Sequence, residues 1–170
     1  IAAAQSGCEV LVLSKGALDE SNTAWAQGGI AAVMSSRDTI DSHVADTLVA
    51  GAGLCDEPVV RSILAAGPER MRELESWDMR FDRALSGEIE LGTEAAHSHA
   101  RILHADGDAT GRELARCLYE RLMKTPGVRV FSQCFAMDLV TPSNEPGAPV
   151  MGAITHHPRY GLQVIWAKTT

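Results

Sequence analysis

The chain has 170 residues, 45% of them apolar, and a formal net charge of −7, which suits one domain that buries its own core. The negative balance argues against nucleic acid as a partner, because phosphate recognition rests on clustered Lys and Arg that displace counterions. No apolar run approaches the ~20 residues needed to cross a bilayer, so no membrane partner is expected and a cytoplasmic location is the default.

Ile1–Gly7 reads as the tail of a helix, and Cys8–Ser14 as a short, β-branched apolar run that suits a buried parallel strand. The far end, Gln163–Thr170, is a strand pattern with no closing turn. Both ends suggest an interior piece of a longer chain. Residues 15–32 are rich in Gly, Ala, Ser and Asn without clear periodicity, and are expected to form an extended functional loop ending in a small-residue helix. Asp38 is expected to cap a helix over about 40–50, with Ile40, Val44, Leu48 and Val49 as its apolar stripe and Gly51 and Gly53 as its stop. Asp56, Glu57 and Pro58 start a second helix. Gly67-Pro68 should break it, so that a third begins at Pro68 with Met71, Leu74 and Trp77 inward.

Residues 78–109 mix strand-like pieces with polar loops, and their periodicity decides nothing. Thr110-Gly-Arg-Glu113 matches a capping box, with Leu114, Leu118 and Leu122 following at helical spacing. Val128–Phe131, Phe135–Val140, Val150–Thr155 and Leu162–Trp166 then alternate like strands, with the run 141–149 as a turn. The sum is an α/β fold, a partial dinucleotide-binding, Rossmann-like domain over 1–170 with a parallel strand, helices and a small β-meander. The four cysteines, Cys8, Cys55, Cys117 and Cys134, lack C-x-x-C spacing, so reduced and mostly buried thiols are expected.

The most informative run is Ser21–Ala32, where Gly28-Gly29 lets backbone N–H groups approach a flat or anionic ligand with no Cβ in the way. Asn22, Thr23 and Gln27 add polar groups, although a plain Gly-rich turn into a helix accounts for the same residues. His97, His99 and His104 would admit a metal set, but no Cys or H-x-x-E companion supports one. No metal is therefore expected. Imidazoles that hydrogen-bond around a cofactor or satisfy core carbonyls remain the other reading.

Asn22-Thr-Ala-Trp-Ala-Gln-Gly-Gly29 resembles the flavin-contacting loop of the succinate dehydrogenase, fumarate reductase and L-aspartate oxidase superfamily. Ile40–Asp56, His97–His104 and Ala109–Glu113 are similar to the aspartate oxidase branch specifically. The resemblance implies FAD as cofactor, with Asn22, Thr23, Ala24, Trp25, Ala26, Gln27, Gly28 and Gly29 at the flavin. It also implies that Ser14 and Lys15 contact the adenosine half and that the backbone of Phe135 and Ala136 meets the adenine. Non-covalent FAD is implied because Asn22 stands where the respiratory dehydrogenases carry a flavin-linked His, and an amide has no nucleophilic nitrogen. Glu94 is implied to lie near the amino group of an L-aspartate substrate. A solvated loop carboxylate is the alternative for Glu94, and a solvated lysine for Lys15.

The implied activity is oxidation of L-aspartate to iminoaspartate for NAD biosynthesis, with electrons passed to oxygen or fumarate and the product handed to a quinolinate synthase. A fumarate reductase or succinate dehydrogenase flavoprotein is the first alternative, and a catalytically silent truncated domain the second. The same resemblance implies a G-x-G-x-x-G turn before Ile1 and substrate-clamping Arg and His residues beyond Thr170, so these 170 residues alone are expected to bind FAD weakly or not at all and to be inactive.

Overall fold

The computed structural model describes every residue of the chain except Asp19. The described residues divide into two units, one of Ile1–Glu20 with Tyr119–Thr170 and one of Ser21–Leu118.

The first unit opens with helix α1 (Ala2–Gln5) and strand β1 (Val10–Leu13). β1 pairs in parallel with β5 (Val128–Phe131), Val10 opposite Val128 and Leu13 opposite Phe131. This is the parallel pairing expected of a βαβ arrangement. β6 (Phe135–Val140), β7 (Gly152–His157) and β8 (Gly161–Trp166) form the antiparallel meander, in the order β6-β7-β8. Strand β7 starts two residues later than the expected Val150. At its first residue, Gly152, an added Cβ would overlap the Ile165 carbonyl across the ladder, so only glycine fits there. One face of β7 is buried through Ala153, Thr155 and His157, and the His157 ring stacks on Phe131 at 5.0 Å.

The second unit begins with α2 (Asn22–Trp25), capped by the Ser21 hydroxyl, which accepts from Ala24 N–H at 3.2 Å. The expected small-residue helix is thus a single turn inside the loop. The segment ends instead in strand β2 (Ile30–Ala31), because Ile30 and Ala31 pair with Leu103 and Ile102 of β4 (Ile102–Leu103). β4 is the centre of a three-stranded sheet, with β3 (Leu91–Gly92) on its other side. Two-residue strands are too short for alternation to announce them.

Helix α3 (Ile40–Ala50) has the expected extent but a different cap. The Thr39 hydroxyl accepts from Ser42 N–H at 3.1 Å, while Asp38 is turned inward onto a buried arginine. Val44 faces the interior and Val49 is exposed, so the apolar stripe is narrower than the residue spacing suggests. Helix α4 (Glu57–Ser76) is capped by Asp56, as expected, and carries Pro68 within it. The break at Gly67-Pro68 does not occur, and two helices stand where three were expected. An interior proline costs about 3 kcal/mol. Met71, Leu74 and Trp77 pack on a core of Ala32, Met79, Phe81, Leu103, Ala105 and Cys117, and burial worth roughly 1.5–3 kcal/mol for each large apolar side chain outweighs that cost.

Helix α5 (Thr110–Met123) forms, but not through a capping box. The Thr110 hydroxyl accepts from Ala105 N–H at 3.0 Å, and Glu113 accepts from Arg80 N–H at 2.9 Å while pairing with Arg116. Tertiary partners have replaced the local ones. None of the four cysteines forms a disulfide among the described residues; Cys117 and Cys134 are buried, whereas Cys8 is exposed and Cys55 intermediate.

Candidate flavin and substrate site

In the first unit the residues expected at the adenosine half lie near the end of β1. Cys134 N–H donates to Ser14 O at 2.8 Å and Gln133 N–H to Gly16 O at 3.2 Å, lashing the Ser14-Lys15-Gly16 turn to the approach of β6. The Ser14 hydroxyl closes the turn on Gly16 O at 3.0 Å. Lys15 Nζ lies 5.4 Å from the Phe135 ring centroid, within cation–π range. Phe135 is half exposed, and Ala136 pairs with Thr155 in the meander. Ser14, Lys15, Phe135 and Ala136 therefore share one edge of this unit.

In the second unit the Asn22–Gly29 segment lies on the surface, with Asn22, Thr23, Ala26, Gln27 and Gly29 exposed and Trp25 82% exposed. Its placement is set from beneath by α5. Gly111 N–H donates to Ala26 O at 3.1 Å, and a Cβ on Gly111 would overlap the carbonyl oxygens of both Thr23 and Ala26. Gln27 Nε2 reaches Asp108 Oδ2 at 3.5 Å.

Among the described residues, none accepts a hydrogen bond from the backbone N–H of Gln27, Gly28 or Gly29. Gly28 has φ +72°, and the space over it is open save for Glu94 Oε1, 3.9 Å from where a Cβ would stand. Three consecutive N–H groups without a protein acceptor, around a left-handed glycine, are chemically suited to carbonyl or anionic oxygens. These donors fit the polar edge of a flavin.

Glu94 lies beside this turn, and its Oε1 is 3.0 Å from His104 Nε2. The structure thus brings Glu94, Gly28, Gly29 and His104 together, a pairing of Glu94 with His104 that the sequence does not announce. The supporting role of Gly111 is equally hidden, since in the sequence it is only the second residue of an apparent cap. Neither carries a periodic signal, because both depend on which strands and helices become neighbours.

A second polar cluster braces the same sheet. Arg101 is fully buried; its Nε and Nη2 donate to Asp38 Oδ2 and Oδ1, both at 2.8 Å, and Nη1 donates to Asp46 at 2.7 Å. Burial alone would push the Asp38 carboxyl up, but the Arg101 guanidinium and Thr39 N–H together hold it below its ordinary value. Asp46 accepts from Ser98 N–H and hydroxyl, each at 2.8 Å. These bonds, with Arg101, hold its pKa down to about 2. Burial lowers the pKa of His43, with Arg101 acting in the same direction, so the ring is neutral. Arg101 N–H donates to Gly92 O and its carbonyl accepts from Ala32 N–H, so the cluster is continuous with the sheet carrying Gly29 and Gly92.

A cleft of about 1010 Å³ opens beside this cluster, lined in part by Arg37, Glu75, Glu88 and His99. None of the residues expected at the flavin lines it. Among the described residues, no group of three or more His, Cys, Asp or Glu side chains is arranged to hold a metal ion, and no helix is long and apolar enough to cross a membrane.

Comparison with known proteins gives a consistent answer. An L-aspartate oxidase from Arabidopsis thaliana is 48% identical over 132 residues, covering 78% of this chain and 20% of that protein. The L-aspartate oxidase of Yersinia pestis is 45% identical over 144 residues, covering 82% of this chain and 27% of its own length. The chain thus spans about a fifth to a quarter of the curated relatives it matches. Among solved structures, a quinol fumarate reductase of E. coli superposes with a TM-score of 0.84 at 28% identity, over 91% of this chain and 26% of that one. A second quinol-fumarate reductase superposes with a TM-score of 0.88 at 25% identity, over 98% of this chain and 29% of that one. A family model described as the FAD binding domain matches residues 1–168, and this chain is a member of the FAD binding domain family.

Proposed function

We propose that the chain is the FAD-binding part of an enzyme that oxidises L-aspartate to iminoaspartate. The observation that carries this reading is the free N–H array of Gln27, Gly28 and Gly29 with a carboxylate, Glu94, fixed at its edge. The naming of relatives at 42–48% identity as L-aspartate oxidases supports the choice of substrate.

FAD, when bound, supplies an acceptor for the hydride that leaves the substrate α-carbon as the C=N bond forms and the amino group gives up a proton. This chain's residues bind and orient. Asn22–Gly29 hold the flavin through backbone donors, and Asn22, lacking a nucleophilic nitrogen, leaves it non-covalently bound. Ser14 and Lys15, with the backbone of Phe135 and Ala136, hold the adenosine half. Glu94 offers a negative charge to the substrate ammonium, a complementarity that succinate and fumarate do not have. The protein works in the cytoplasm in NAD biosynthesis, returns its electrons to oxygen or fumarate, and hands iminoaspartate to a quinolinate synthase.

The test is turnover by the FAD-loaded, full-length enzyme of which this chain is the FAD-binding part, with L-aspartate and with succinate at matched concentrations. Oxidation of L-aspartate at least a hundredfold faster supports the proposal. Preference for succinate would move the protein to the dicarboxylate dehydrogenases, and no turnover of either would make it a silent domain.

A further inference from the structure

His104 follows the central strand β4, and its ring lies between two glycines, Gly29 just before β2 and Gly92 in β3. A Cβ on Gly29, next to β2, would overlap Ile102 Cγ2 and come 2.7 Å from Leu103 O and 3.0 Å from His104 Nε2. A Cβ on Gly92, in β3, would come 2.9 Å from His104 Cε1 and 3.3 Å from Nδ1. Real side chains almost never approach so closely, so an alanine at either position displaces the ring or the strand. From this slot Nε2 meets Glu94 Oε1 at 3.0 Å. An ionised carboxylate only accepts, so Nε2 carries the proton.

The consequence falls on Glu94. Its side chain is 49% exposed, whereas that of His104 is 27% exposed. An exposed glutamate is ordinarily mobile, and an exposed ion pair contributes little to stability. Here one carboxylate oxygen is tied to a ring that is itself gripped between two strands. Among the described residues Oε2 has no hydrogen-bond partner, which leaves it able to accept from a ligand.

We infer that His104 is the positioning residue for Glu94: the imidazole, held in the Gly29–Gly92 slot, fixes the carboxylate at the Gly28 turn before an ammonium-bearing substrate arrives. This rests on the reading of Glu94 as the group that receives the substrate ammonium. Fixing the acceptor in advance removes the ordering cost from the binding step, so the effect belongs in KM more than in kcat.

The experiment is steady-state kinetics with L-aspartate on the FAD-loaded, full-length enzyme that contains this chain and on its E94Q, H104A, H104Q, G92A and E94Q/H104A variants. Flavin content and melting temperature are measured for each. E94Q and H104A should each raise KM at least tenfold with kcat within about threefold, and the double variant should be no worse than E94Q, because His104 acts through Glu94. H104Q, which keeps a donor at similar reach, should restore KM to within about threefold of the starting protein. G92A keeps both partners but pushes the ring, and should raise KM with flavin content unchanged. H104Q remains readable if H104A fails to fold, and a tenfold rise in KM there with full flavin content overturns the inference. An effect of E94Q with none from H104A or G92A also overturns the inference while leaving Glu94 in its role. No effect of E94Q removes that role itself.

Discussion

Replacing Arg101 with methionine leaves the Asp38 carboxylate stranded, and the size of the penalty follows from the geometry. Both side chains are out of solvent, at 0% and 1% exposure, and Arg101 supplies two of the Asp38 hydrogen bonds. What remains for Asp38 is Thr39 N–H at 2.8 Å and the His99 ring at 3.6 Å. Breaking a buried pair by removing one partner costs about 3–5 kcal/mol, because the uncompensated charge stays behind. At about 2–4 °C per kcal/mol for a protein of this size, R101M should melt roughly 6–20 °C lower at pH 7.

The pH dependence has a definite sign. With Arg101 present the Asp38 pKa is lowered, so its contribution to stability holds above the unfolded value and is lost as pH falls through the folded one. Without Arg101, burial raises the folded pKa above the unfolded value, and protonation relieves the penalty as pH falls. The melting gap between R101M and the parent should therefore be narrower at pH 5 than at pH 7, and R101M/D38N should recover part of the loss. Thermal melts followed by circular dichroism measure all three proteins. A gap under about 2 °C at pH 7, or one that widens toward pH 5, would refute the reasoning.

Asp46 makes a separate acid-stability prediction. Its folded pKa of about 2 lies below the unfolded value, so it stabilises above pH ~4 and loses that contribution as pH falls toward 2; acid titration of D46N should show a shallower fall in stability over that window. Gly111→Ala places a Cβ against the Thr23 and Ala26 carbonyls, and fluorescence titration should find FAD affinity reduced at least tenfold. Denaturing the FAD-loaded protein in acid should release essentially all flavin into the supernatant, since Asn22 offers no atom for a covalent link; flavin retained in the pellet would contradict this.

How much the sequence disclosed depended on whether local chemistry or tertiary partners decided each element. Helix α4 is visible from Asp56 and Pro58, yet Pro68 misleads, because the face of Met71, Leu74 and Trp77 continues past it onto a core that the local pattern does not reveal. Asp38 and Glu113 have the residue types and spacing of caps, but Arg101 and Arg116 claim them. The meander is legible because β6, β7 and β8 are each six residues long. The sheet of β2, β3 and β4 is not, and with it goes the slot that holds His104. The segment proposed to meet the flavin is recognisable by resemblance, whereas what supports it, Gly111 below and the Glu94–His104 pair beside, comes from distant parts of the chain.

The central claim is that the backbone of Asn22–Gly29 lies against the flavin, and amide hydrogen exchange with and without FAD tests it most directly. The N–H groups of Gln27, Gly28 and Gly29 lack protein acceptors among the described residues, so they should exchange nearly unprotected in the flavin-free protein and at least tenfold more slowly when FAD is bound. Saturation with FAD that leaves their exchange unchanged, while slowing another segment, would contradict the account.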